Sequence, residues 1–185
     1  VIKIKHADVD ADIEKWEKFL TTLFQQINLK VDLHSFFTAL RNQLDLEKEA
    51  KNMKTFYKKY KKNQLVKIPK YIAGDENILI MEYVPSVNFR DFRQNCSQEE
   101  LDYFLMLSRI LYQDTVFIQD IIHLDLHNAN YGIQVEEKSI VLYDFGWVLE
   151  NQHDFKQFFI LCHMNYQKPL EFKYEEKGCS FLRKI

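Results

Sequence analysis

The chain has 185 residues, 46% hydrophobic and 28% charged, which excludes a disordered or fibrous protein and allows one sizeable core. The net charge of −2 gives no general pull toward nucleic acid, and no window of eighteen uncharged apolar residues offers a membrane span. Val1–His6 is too short and too lysine-rich for a signal peptide. Cys96, Cys162 and Cys179 lie far apart without zinc spacing, so a reducing intracellular compartment is expected.

Val1-Ile-Lys-Ile-Lys5 alternates as a strand does. Asp10 or Asp12 is expected to cap a helix reaching about Asn28, with Ile13, Trp16, Phe19, Leu20 and Phe24 at helical spacing. A second helix is expected over about 32–42, and a third over about 44–61 with Leu46, Ala50, Met53 and Tyr57 on one stripe. Residues 68–72 and 77–83 read as strands joined by a turn at Gly74-Asp75-Glu76. Pro85–Asn88 reads as a hinge, and Ser97-Gln-Glu-Glu100 as a capping box opening an apolar helix to about Ile118. Residues 131–135 and 139–143 read as two short strands, and Asp154 to about Asn165 as a helix. Four glycines and three prolines suit a mostly helical chain with a few strands.

Two loops carry chemistry. Asp125 and Asn130, in His123-Leu-Asp-Leu-His-Asn-Ala-Asn130, stand five positions apart, the spacing of the H-R-D-x-x-x-x-N loop of kinases. Asp144-Phe-Gly146 follows an apolar run, as the magnesium-binding D-F-G does. Phosphoryl transfer needs hard oxygen ligands for magnesium and a carboxylate to orient or deprotonate the attacking hydroxyl. Asp144 and Asn130 are the candidate magnesium ligands, and Asp125 the candidate base. His123 and His127 invite a zinc reading, but their asparagine-rich setting favours a loop braced by hydrogen bonds.

The N-terminal half narrows the resemblance. Gln43-Leu-Asp-Leu-Glu-Lys-Glu-Ala-Lys-Asn52, followed by Met-Lys-Thr-Phe56, resembles the C-helix signature of the UbiB-like atypical kinases, proteins associated with coenzyme Q biosynthesis. Val1–Val9 resembles that family's lysine-bearing strand, Ile80–Pro85 its hinge strand, and His123–Asn130 its H-G-D-x-H-P-G-N loop. The resemblance covers about 1–149. It implies that Lys3 contacts phosphate, that Glu49 is its ion-pair partner, and that backbone groups of Glu82, Tyr83 and Val84 hold the adenine. An interval of 46 positions between Lys3 and Glu49, filled by two expected helices, suits this group better than ordinary protein kinases. Leu124, Asn128-Ala129, Gln43 and Ala7-Asp8 depart from the family pattern without removing a metal ligand or the base.

The resemblance implies an α+β, protein-kinase-like two-lobe fold. Residues 1–84 would be a partial N-lobe enriched in helices, and 85–185 a mainly helical C-lobe. It implies a kinase or ATPase using ATP and Mg²⁺ on a small-molecule or lipid-linked partner. The family's small-residue nucleotide loop and K-x-G-Q extension lie upstream of the lysine strand, where this chain begins. A truncated pseudokinase acting as a binding module, and a phosphotransferase of the choline or aminoglycoside kinase type, are the alternatives. The run Lys51, Lys54, Lys58, Lys59, Lys61 and Lys62 reads first as a solvated helix end. Peripheral contact with anionic lipid is its second reading.

Overall fold

The computed structural model describes residues 1–150; the helix expected over 154–165, Cys162 and Cys179 lie outside them. In chain order the elements begin with β1 (Ile2–Ile4), α1 (Val9–Gln26), α2 (Leu33–Gln43) and α3 (Leu46–Tyr60). β2 (Val66–Lys67), β3 (Tyr71–Gly74), β4 (Ile78–Met81), β5 (Val87–Asn88), α4 (Phe89–Asn95) and α5 (Gln98–Phe117) follow. β6 (Ile121–His123), β7 (Tyr131–Gln134), β8 (Ser139–Leu142) and β9 (Val148–Glu150) complete the order. Among the described residues no helix is long and apolar enough to cross a membrane.

Among the described residues, Val1–Ala7 and 42–150 make one compact unit, and Asp8–Arg41 belong to another. In the latter, α1 starts two or four residues earlier than expected. Asp8, not Asp10 or Asp12, is the cap residue, although its side chain makes no capping bond. Its carbonyl accepts from the Asp12 amide at 2.9 Å, while Asp10 and Asp12 sit in the first turn, where the helix dipole favours negative charge. Of the expected apolar stripe, Ile13 is buried, Leu20 and Phe24 are half-buried, and Trp16 and Phe19 are exposed. Glu17 pairs with Arg41.

The unit containing the candidate loops is built on three small sheets. One has the order β1-β4-β3 and is antiparallel. The second has the order β2-β8-β7-β5, with β2 and β8 parallel and the other pairs antiparallel. The third joins β6 to β9. β2, β6 and β9, of two or three residues, are too short for alternation to reveal. The expected hinge runs directly into α4, capped by the Asn88 side chain, which accepts from the Asp91 amide at 3.0 Å.

α3 forms where Asp45 accepts from the Lys48 amide at 3.0 Å. Glu47 and Glu49 follow in its first turn, and Lys58 and Lys59 occupy the last, so both ends suit the dipole. Leu46, Glu49, Ala50, Met53, Phe56 and Tyr60 are its buried face. The inner stripe thus passes through Phe56 and Tyr60, leaving Tyr57 half-buried. Phe56 stands 5.2 Å from Phe145, 5.9 Å from His123 and 6.0 Å from Tyr60, centroid to centroid. The lysine run lies on the solvent side, with Lys54 over the Tyr71 ring at 3.6 Å and Lys59 donating to the Gln119 carbonyl.

The Ser97 capping box is present in full: the Ser97 hydroxyl accepts from the Glu100 amide, and Glu100 accepts from the Ser97 amide at 2.8 Å. It opens α5, whose Phe104, Leu107 and Leu111 enter the core. Urea denaturation checks this account. Phe56→Ala is expected to cost about 3–5 kcal/mol, because no part of its surface is exposed. Ser97→Ala is expected to cost about 1 kcal/mol. Equal costs would show that the Phe56 cluster is not the tighter constraint.

Candidate active site

Lys3, on β1, projects from the three-stranded sheet toward α3. Its Nζ lies 2.5 Å from Glu49 Oε1 and 3.3 Å from Asp144 Oδ2. Three segments distant in sequence therefore meet on one ammonium. Glu49 is only 2% exposed. Its Oε1 also accepts from the Phe145 amide at 3.3 Å, so the carboxylate is shared between a side-chain cation and the backbone beside Asp144. One turn along α3, Asn52 Nδ2 donates to the Phe145 carbonyl at 2.8 Å. Phe145 itself is fully buried. The helix thus grips both polar groups of that residue's backbone and packs its ring.

Asp144 Oδ1 accepts from the Gly146 amide at 2.9 Å. A Cβ on Gly146 would stand 3.0 Å from the Gln43 carbonyl oxygen and 3.3 Å from Asp144 Oδ1, so the turn is tight against the approach to α3. Burial pushes the Asp144 carboxyl up, but the Gly146 amide and the Lys3 charge outweigh it and hold the group below its ordinary range. For Glu49 the balance is opposite. Burial dominates and raises it above its ordinary 4.5, although Lys3 pulls it back.

β6 delivers the second loop, and β9 leaves the first. Their antiparallel register sets His123 opposite Val148, and the Leu124 amide donates to the Trp147 carbonyl at 3.0 Å. His123 is fully buried. Its Nδ1 accepts from the Asp125 amide at 3.3 Å, so the proton belongs on Nε2, which donates to the Asp144 carbonyl. Burial holds His123 below its ordinary value, in keeping with this neutral form. The ring ties the backbone of one loop to that of the other, and neither of its nitrogens is left for a metal.

Asn130 Nδ2 donates to the Asp125 carbonyl at 2.8 Å and to Asp125 Oδ2 at 2.9 Å. Its amide oxygen has no donor among the described residues. His127 lies between two turns, not on a helix; its Nδ1 accepts from the Ala129 amide at 3.1 Å, and its Nε2 stands 3.4 Å from Asp125 Oδ1. The donor set fits magnesium: a carboxylate kept charged and an amide oxygen, both hard ligands. Two protein oxygens leave the rest of an octahedral shell to water and phosphate, as magnesium prefers.

Lys3, Glu49 and Asp144 thus come together, Asp125 and Asn130 form a second group, and His123 links the two. Glu82, Tyr83 and Val84 follow β4 and make no hydrogen bond or ion pair with these groups. The Glu82 amide is already given to the Lys70 carbonyl at 2.8 Å, and Tyr83 is 70% exposed. Sequence reasoning placed Asn52 in the C-helix motif but gave it no role of its own, and missed the extent of His123's role. Asn52, three residues after Glu49 and therefore on the same helix face, was the available signal.

A family model described as the ABC1 atypical kinase-like domain matches residues 1–169. The protein A445L of Paramecium bursaria Chlorella virus 1, which carries the name of an ABC transporter, is 32% identical over 126 residues, 66% of this chain and 25% of its own. ABC1 family protein MCP2 of Saccharomyces cerevisiae is 31% identical over 121 residues, 56% of this chain and 21% of its own. The chain therefore matches about a quarter of the length of these relatives. Among solved structures, that of Rv3197 from Mycobacterium tuberculosis with erythromycin is similar with a TM-score of 0.70. That likeness spans 80% of this chain and 40% of that one at 20% identity, and shows the fold alone.

The two carboxyls give opposite pH dependences. The raised value of Glu49 means that its contribution to stability is present at acid pH and is lost as pH rises from 4.5 through the folded value. The contribution of Asp144, whose value is lowered, is present above its ordinary 3.8 and is lost as pH falls through the folded value. In urea titrations, the stability of the wild type relative to Glu49→Gln is expected to fall as pH rises above 4.5. A difference that grows with pH would contradict the burial argument.

Proposed function

The chain belongs to the ABC1 atypical kinase-like family, with the α+β kinase-like fold that its loops anticipated, and from that premise we propose that it binds magnesium–ATP. We propose further that it transfers or hydrolyses the terminal phosphoryl group on a small-molecule or lipid-linked partner. The observation that carries the reading is the convergence of Lys3, Glu49 and Asp144, drawn from positions 46 and 141 residues away from Lys3. A structural ion pair needs one cation and one carboxylate. A second carboxylate, kept charged beside a half-exposed ammonium, is the arrangement that a phosphate and a divalent cation would use.

On this reading residues 1–84 supply the N-lobe side and residues from 85 onward the C-lobe side. Lys3 contacts phosphate oxygens and Glu49 holds it in place. Asp144 and the Asn130 amide oxygen hold magnesium, which neutralises phosphate charge when bound. Asp125 orients the attacking hydroxyl or water and takes its proton, while Asn130 fixes the direction of its carboxylate. With the Glu82 amide spent on Lys70, Tyr83 and Val84 are the hinge backbone most open to adenine.

Magnesium–ATP at a hundredfold excess over Kd is expected to raise Tm by roughly 5 °C, read by scanning fluorimetry on the full natural protein. Asp144→Asn is expected to remove that shift. Asp125→Asn is expected to keep it while lowering turnover by about 10²–10⁴-fold. No shift in the wild type would overturn nucleotide binding, and equal loss of binding and turnover in Asp125→Asn would remove its role as base.

A further inference from the structure

Beside the loop of Asp125 lies a cavity of about 760 Å³, within the range of small-molecule sites. Its lining includes Phe89, almost wholly buried, with Arg90, Arg93 and Gln94 of α4 and Asn128 and Ala129 of the loop. Arg90 and Arg93 are three residues apart and so share one helix face. Both are exposed, and neither has an ion-pair partner among the described residues. The one carboxylate on the lining, Asp91, accepts from the Asn88 side chain at 2.6 Å and is turned onto its own helix cap. Asn128 spends its amide oxygen on the Tyr131 hydroxyl at 2.8 Å, which leaves its amide nitrogen without an acceptor among the described residues.

We propose that this cavity is an acceptor-side subsite for a phosphomonoester group, bound by the paired forks of Arg90 and Arg93 with the Asn128 amide as a further donor. The charge match favours a dianion over a carboxylate: two guanidinium groups present parallel donors to several oxygens of one phosphate. Ala129, which is exposed, offers apolar surface to the carbon body of the ligand. Asn128 and Ala129 lie within five residues of both Asp125 and Asn130, so a molecule anchored here is held next to the loop that would activate it. The assignment rests on the reading of that loop as catalytic. It adds an anionic handle on the acceptor, which that reading does not specify.

The probes are glycerol 3-phosphate, followed by calorimetry, and phosphatidylcholine vesicles with and without phosphatidic acid, followed by co-sedimentation. All are run with and without a non-hydrolysable magnesium–ATP analogue. Saturable binding of glycerol 3-phosphate identifies a free small molecule as the source of the phosphate. Binding confined to phosphatidic acid vesicles identifies a lipid headgroup. Either is expected to weaken about tenfold for each arginine removed in Arg90→Gln and Arg93→Gln, and severalfold in Gln94→Glu, which adds a carboxylate to the wall without removing a side-chain anchor. Lys61→Gln with Lys62→Gln, an equal loss of charge elsewhere, is expected to leave glycerol 3-phosphate binding unchanged.

The proposal is overturned if neither probe binds. It is equally overturned if binding survives both the arginine and the Gln94 changes, or if the nucleotide analogue displaces the probe. The thermal shift with magnesium–ATP is read separately. Arginine-dependent binding without that shift refutes the nucleotide reading and keeps the anion site; the shift without such binding refutes the anion site alone.

Discussion

A carboxylate that is almost wholly buried is expensive unless it is fully engaged, and Glu49 is the point on which the rest of the site depends. Its Oε1 receives the Lys3 ammonium and the Phe145 amide together. Removing either donor leaves charge in a setting that already favours the neutral form. The same group therefore specifies where β1 lies, where α3 lies and where the chain passes after Asp144. Asn52 and Phe56 complete that specification from the same helix face, one by a hydrogen bond to Phe145 and the other by packing on its ring.

The second group is arranged by a neutral ring rather than a charge. His123 is buried, so protonation is opposed, and its two nitrogens face an amide donor and a carbonyl acceptor. A histidine in this state behaves as a fixed strut between loops. Charge remains where solvent or a ligand can reach it, on Asp125, Asp144 and Lys3. The design separates residues that set positions, which are buried and satisfied, from charged residues that face solvent or a ligand, which are half-exposed.

Much of this was legible because it is local. The five-residue spacing of Asp125 and Asn130, the capping box at Ser97 and the 3.6-residue rhythm of α3 are properties of short windows, and each has a match in the structure. The pairing of Lys3 with Glu49 was legible only through resemblance, since no periodicity relates positions in different elements. What sequence patterns missed falls into three kinds. β2, β6 and β9 exist because partners hold them, not because their residues alternate. The start of α1 at Val9 and the whole of α4 turn on asparagine and aspartate residues that serve equally in loops and caps. The exposure of Trp16 and Phe19 shows a third limit, since helical spacing gives a face but not what that face meets.

The register of β6 and β9 has a wider consequence. His123 opposite Val148 closes a ring of chain that contains both loops and the β7–β8 hairpin between them. The loops hang from the closure, whereas the turn at 135–138 is the far end of the excursion, where Lys138 adopts a left-handed conformation. Lengthening that turn risks the bond from the Tyr103 hydroxyl to the Lys138 carbonyl at 3.0 Å, and otherwise adds the slowly growing entropy of a loop whose ends are already fastened. The hairpin tip is therefore the place where this part of the protein can acquire new sequence, for a new contact or a new length, without moving Asp125 relative to Asp144.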